Sequence, residues 1–239
     1  AIWIQTVITF AAFVILFMAP GNDVRVASEI ATWMPGYKEL SVGNHLFMTI
    51  QWMLSSFANE GKAFFIAIWA AGFLLLVKSK KAKVYQSLAV VFSVVALLPY
   101  AGISFFSEMG IGYIDIEQCL TELPTWQTMT TQNRIAFFWW IAAVLFTLVL
   151  LWKVTGHSVF ISMAFLGGIA SEAVLHFSPT IYASGARVYY LTDLMYLFII
   201  LWMVMRMDSE KKKNLFISGA ATLGVINFLS QYSIMLLKL

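Results

Sequence analysis

Glu172 and His176 stand four residues apart in an otherwise apolar run, so a helix through them presents a carboxylate and an imidazole on one face. Arg187 and Asp193 follow, with Tyr189 and Tyr196 about one turn to either side of Asp193. The segment Ser178-Pro179-Thr180-Ile181-Tyr182-Ala183-Ser184-Gly185-Ala186-Arg187 is short enough that the helix ends it joins must be neighbours. Glu172, His176, Arg187 and Asp193 can therefore converge. Arg25 adds a second arginine, delivered by Ala19-Pro20-Gly21-Asn22-Asp23-Val24, where Pro and Gly stop one helix and Asn and Asp can cap the next. Arginine forks match the oxygens of a phosphate or pyrophosphate. A carboxylate within hydrogen-bond reach of a hydroxyl, and partly shielded from water, can act as a general base. Such shielding is expected of Glu172 and Asp193 more than of Asp23, and His176 and Tyr189 would line the same substrate site.

Each of these residues also has a plainer use. Arg187 and Asp193 would neutralise each other or the helix ends, and Glu172 with His176 would form an ordinary polar pair between helices. His45 and His157 have no carboxylate at helical spacing, and Asn227 with Gln231 reads as contact between helices. Gly167-Gly168 and Ser171 read as a close helix approach. The single cysteine, Cys119, excludes an internal disulfide, and no Cys/His cluster has metal-ligand spacing.

The elements that would hold these residues are read from composition. With 61% hydrophobic and 11% charged residues, the chain departs from a soluble domain, where roughly 25% would be charged. Its length accommodates about seven membrane helices of ~20 residues, and seven apolar segments can be marked at 1 to 18, 62 to 77, 84 to 106, 135 to 152, 158 to 177, 188 to 205 and 215 to 237. Most Lys and Arg fall at 78 to 83, 153 to 157 and 206 to 214, whereas 107 to 134 carries Glu108, Asp115, Glu117 and Glu122 against Arg134 alone. Because basic loops stay cytoplasmic, the amino end is expected in the cytoplasm and the candidate site on the outer face. Trp3, Trp126, Trp139, Trp140, Trp152 and Trp202 fit interfacial belts, although several of them would equally well pack between helices. A continuous helix over 45 to 77 would reach about 50 Å, beyond the ~30 Å hydrocarbon core. The sequence therefore predicts a break at Asn59-Glu60-Gly61, with 45 to 58 an amphipathic segment at or dipping into the outer surface. A second surface helix is expected over 24 to 34, before Pro35-Gly36.

The expected fold class is all-α: one polytopic bundle over 1–239 with about seven transmembrane helices and short outer surface helices. Ala1 in place of Met, with no basic leader, makes the chain read as a segment of a longer one. The basic residues follow topology, so no nucleic-acid partner is expected.

The Ala19-Pro20-Gly21-Asn22-x-x-Arg25 stretch and the Ser178-Pro179-Thr180 to Arg187 stretch resemble a group of bacterial multi-spanning membrane proteins related to the GT-C glycosyltransferases. The resemblance covers the whole chain in topology and rests on these two motifs. It implies an inner-membrane enzyme that takes sugars from polyprenyl-phosphate carriers during cell-surface glycan assembly, with an acidic residue in the first outer loop, for which Asp23 is the nearest match. Cofactor and metal requirement are left open. Two further readings use the same residues: a flippase holding the same lipid phosphate, and a non-catalytic structural subunit. No convincing internal repeat marks a transporter. A retinal protein would need a lysine midway in a late span, and after Lys213 only Lys238 remains.

Overall fold

The computed structural model describes residues 22–77, 79, 82–98, 125–156, 159–173, 180 and 189–237, and among them the long elements are all helices. In chain order these are α1 (Asn22–Trp33), α2 (Val42–Ser56), α3 (Lys62–Leu76), α4 (Lys83–Leu97), α5 (Thr131–Val154), α6 (Val159–Ala173), α7 (Tyr190–Met205) and α8 (Glu210–Leu237). A 3-10 turn, Tyr37–Glu39, lies between α1 and α2, and a π-helical turn, Phe57–Gly61, joins α2 to α3. The chain is all-α, as expected.

The hub is α3, which is apolar all round and packs against α4, α5, α7 and α8. Phe65, Ile68, Trp69 and Ala71 have no exposed surface. Contacts from α3 to α5 advance together: Phe65 meets Trp140, Trp69 Nε1 donates to Thr147 Oγ1 at 2.8 Å, and Gly72 faces Leu150. The two helices therefore run parallel. Against α7, α6 runs antiparallel, pairing Phe160 with Phe198 and Gly168 with Thr192. Short connections reverse the chain between α3 and α4, between α5 and α6, and between α7 and α8. Hence α4, α6 and α8 all run opposite to α3, α5 and α7. Lys83, Lys153, Arg206 and Lys211 to Lys213 fall at one end of the bundle, and Arg134, Glu172 and Asp193 at the other.

The sequence expectations for α2 need correction. Ser41 Oγ accepts from the Asn44 backbone N–H at 3.2 Å and caps the helix, and its first half carries the exposed Val42 and Leu46. From Gln51 to Ala58, however, every residue is buried, because α2 enters between α5 and α6. Nor is the chain broken at 59 to 61. Backbone angles stay right-handed helical at Ser56, Gly61 and Lys62, and the π turn over Phe57–Gly61 carries the helix on from α2 into α3. The surface helix expected over 24 to 34 is α1, exposed from Asp23 to Ser28 and anchored by buried Ile30.

Among the described residues one helix, Arg134–Val154, is long and apolar enough to cross a membrane by itself. Over the expected spans at 62 to 77, 84 to 106, 158 to 177 and 188 to 205 lie apolar helices of 15 or 16 residues, under the ~20 of a straight span. Segment 1 to 18 lies outside the described residues. Trp140 and Trp139 are not in an interfacial belt: the first is buried against Phe65 and the second packs on Phe92. On the outward faces of α4 to α8, large apolar side chains such as Val94, Phe138, Met163, Leu201 and Phe228 are exposed.

Candidate functional site

Glu172 sits near the end of α6, and Ser56 ends α2, so the packing of α2 against α6 brings them together. Ser56 Oγ donates to Glu172 Oε2 at 2.7 Å. The two residues are 5% and 1% exposed, so this bond is made away from water. Ser56 Oγ also lies 2.8 Å from the Met53 carbonyl oxygen, and its one hydrogen serves both acceptors.

The floor of the site is the α6–α7 contact. Gly168 lies directly against α7, where a Cβ would be in ordinary contact at 3.4 Å from Tyr196 Cε1 and 3.6 Å from Thr192 Cα. Its carbonyl accepts from Thr192 Oγ1 at 3.0 Å and from Ser171 Oγ at 2.7 Å, with the two hydroxyls 3.0 Å apart. The expected close approach at Gly167-Gly168 and Ser171 is thus made by Gly168 and Ser171, while the Cβ position of Gly167 faces open space. One turn beyond Thr192, Tyr196 stacks on Phe165 and is fully buried, yet its hydroxyl has no hydrogen-bond partner among the described residues. Gln51 Oε1, on the buried half of α2, is likewise unpaired among the described residues.

Of the residues singled out from sequence, Glu172, Asp193 and Tyr189 gather at this end of the bundle. Asp193 is half-buried, and Tyr189 stacks on Trp52 with centroids 5.2 Å apart. Met34, just past α1, packs into the same cluster as Trp52 and Tyr189, which ties α1 to the site. Asp23 and Arg25 are not drawn in. Both are exposed at the far end of α1, and Arg25 Nε lies 3.8 Å from Glu29 Oε1 with its side chain 78% exposed. His176 and Arg187 lie outside the described residues, as do His157, residues 19 to 21 of the first motif, and the side chains of Asn227 and Gln231.

His45 is used in packing. Its Nε2 is 3.1 Å from the Tyr37 carbonyl oxygen, and its ring meets that of Tyr37 edge-on at 4.6 Å. Burial pushes the Tyr37 phenol above its usual range. Among the described residues no group of three His, Cys, Asp or Glu side chains is arranged to hold a metal.

Sequence reasoning missed Ser56, Gln51 and Thr192. A hydroxyl or amide on an apolar helix is common, and only the partner across the helix interface gives it a role. Chemically, the arrangement offers a buried carboxyl held by a serine, a second, half-buried carboxyl, and a buried phenol whose hydroxyl has no hydrogen-bond partner among the described residues. The chain matches no protein-family model, no curated protein and no solved structure.

Proposed function

We propose that the chain is a polytopic inner-membrane bundle that resembles the GT-C glycosyltransferases and transfers a sugar from a polyprenyl-phosphate carrier at the end of the bundle that bears Glu172. The observation that carries this reading is Glu172 itself: a carboxyl group 1% exposed that accepts a hydrogen bond from Ser56, in a region where the buried Tyr196 hydroxyl has no hydrogen-bond partner among the described residues. Carboxylates are rarely buried without a task. Glu172 then serves as the base for an acceptor hydroxyl, Tyr196 donates a hydrogen bond to the substrate, and Asp193 sits at the mouth. Arg187 holds the carrier phosphate, with His176 and Tyr189 beside it, while Arg25 and Asp23, exposed at the far end of α1, stand outside the site. The membrane setting is supported by the exposed apolar side chains of α4 to α8 and by the gathering of Lys83, Lys153, Arg206 and Lys211 to Lys213 at one end of the bundle.

A second reading is favoured by the seal around Glu172. A carboxylate already engaged by Ser56 and shut from water can be a pin between α2 and α6, as in a structural subunit. One assay separates the two. In proteoliposomes supplied with a polyprenyl-phosphate sugar and an acceptor, Glu172→Gln should bind the carrier as wild type does and lose about 10²–10⁴-fold in kcat. Arg187→Lys should weaken binding, because lysine lacks the planar fork. Full turnover by Glu172→Gln would remove the base and leave the structural pin; carrier translocation without transfer would make the chain a flippase.

A further inference from the structure

A cavity of about 500 Å³ opens between α3, α4 and α8, away from Ser56, Glu172, Asp193 and Tyr196. Its wall is almost wholly apolar, with Phe73 on α3, Val90 and Val94 on α4, and Leu215, Ala220 and Leu223 on α8. From Leu215 to Ile226 it follows α8 for about 17 Å at the α-helical rise. A Cβ at Gly219 would meet nothing within 4 Å, so the space beside it is open. An apolar groove of this kind accepts many occupants. Charge narrows the choice.

Helical phase carries two lysines onto the same stripe. Lys83 precedes Val90 by seven residues and Val94 by eleven, and Lys211 precedes Leu215 by four and Thr222 by eleven; spacings of seven and eleven return to within about 20° of the same direction. Because α4 and α8 run the same way, both lysines lie just beyond one end of the groove. Lys212 and Lys213 are already engaged, by Asp208 at 2.9 Å and Glu210 at 2.7 Å. Lys83 and Lys211 are exposed and make no ion pair among the described residues.

We propose that this groove binds an anionic phospholipid, with an acyl chain along α8 and α4 and the headgroup phosphate between Lys83 and Lys211. The site rests on the membrane setting proposed above but not on the transfer reaction. It belongs to the leaflet at the basic end, opposite the Glu172 site. Each lysine near an anionic headgroup is worth about fivefold in affinity, so the pair confers a preference of roughly 25-fold over a zwitterionic lipid.

The test is native mass spectrometry of the purified chain in neutral detergent, titrated with phosphatidylglycerol or phosphatidylcholine. Wild type should retain phosphatidylglycerol preferentially. Lys83→Gln with Lys211→Gln should abolish the preference, whereas Lys153→Gln, a cation at the same end on α5, should leave it intact. Gly219→Leu fills the groove without touching charge and should lower retention of both lipids. Equal retention of the two lipids by wild type, or a preference that survives the double substitution, overturns the site. Carbonate extraction of the cell membranes keeps the failures apart: release of the chain would overturn the membrane setting, while a retained chain without lipid preference overturns the groove alone.

Discussion

Two hydroxyls within the same buried region carry opposite expectations. Ser56 donates to Glu172, so Ser56→Ala leaves a buried carboxyl short of a partner and should lower unfolding free energy by about 1–3 kcal/mol. The Tyr196 hydroxyl has no partner among the described residues, so Tyr196→Phe removes a buried polar atom that was not satisfied, and should leave stability unchanged or raise it by about 1 kcal/mol. If that phenol serves the substrate, the same change lowers turnover. Thermal unfolding in detergent, read beside the transfer assay, checks both; a Tyr196→Phe protein that is less stable and fully active would make the phenol a structural group. Glu172 and Asp193 were legible because a charge in an apolar run is conspicuous. Ser56 was not, because its role exists only through a residue far along the chain.

At the scale of elements, the apolar runs from 62 onward mark α3 to α8 well, since each is long enough to be helical and is bounded by charges or glycine. The α2–α3 junction was misread for a physical reason. Gln51, Ser55 and Ser56 look like the wet face of a surface helix, yet all three are buried, and a polar residue turned to water has the same pattern as one such as Ser56 turned to a buried carboxyl. Gly61 likewise reads as a breaker, although helical backbone continues through it. Glycine at Gly72 has the opposite meaning: it is needed inside the helix. An added Cβ would lie 2.7 Å from Leu150 Cδ2, so Gly72→Ala should force the buried Leu150 side chain to repack and cost about 1–3 kcal/mol, despite alanine's better helix propensity. Gly167→Ala, with open space at its Cβ, should be neutral or stabilising by up to ~1 kcal/mol. Denaturation midpoints of the two variants, with Leu150→Ala as the relieving partner of the first, test the packing directly; equal effects at Gly72 and Gly167 would refute it.

Across the whole molecule, charge asymmetry was legible in the sequence, and helix direction explains why it survives folding. With α3, α5 and α7 running one way and α4, α6 and α8 the other, Lys83, Lys153, Arg206 and Lys211 to Lys213 fall at one end and Glu172 with Asp193 at the other. In the membrane setting proposed above, the helix that would set this asymmetry across a bilayer is α5. Its 21-residue apolar stretch, Arg134–Val154, measures about 31 Å, close to the hydrocarbon thickness. Arg134 lies 4.9 Å over the Trp126 ring and donates to its carbonyl oxygen at 3.0 Å, an arrangement suited to one interface, and Lys153 stands at the other. In a Cys119→Ser background, a cysteine at Gln127 should therefore be labelled by an impermeant thiol reagent in intact cells. Cysteines at Lys153 and Lys211 should be labelled only after permeabilisation, because both belong to the basic end. Labelling of Gln127→Cys and Lys153→Cys from the same side would mean that α5 does not cross. Labelling of Lys153→Cys and Lys211→Cys from outside, with Gln127→Cys protected, would instead invert the chain and place the Glu172 site on the cytoplasmic face, where an outward-facing lipid-linked sugar could not reach it.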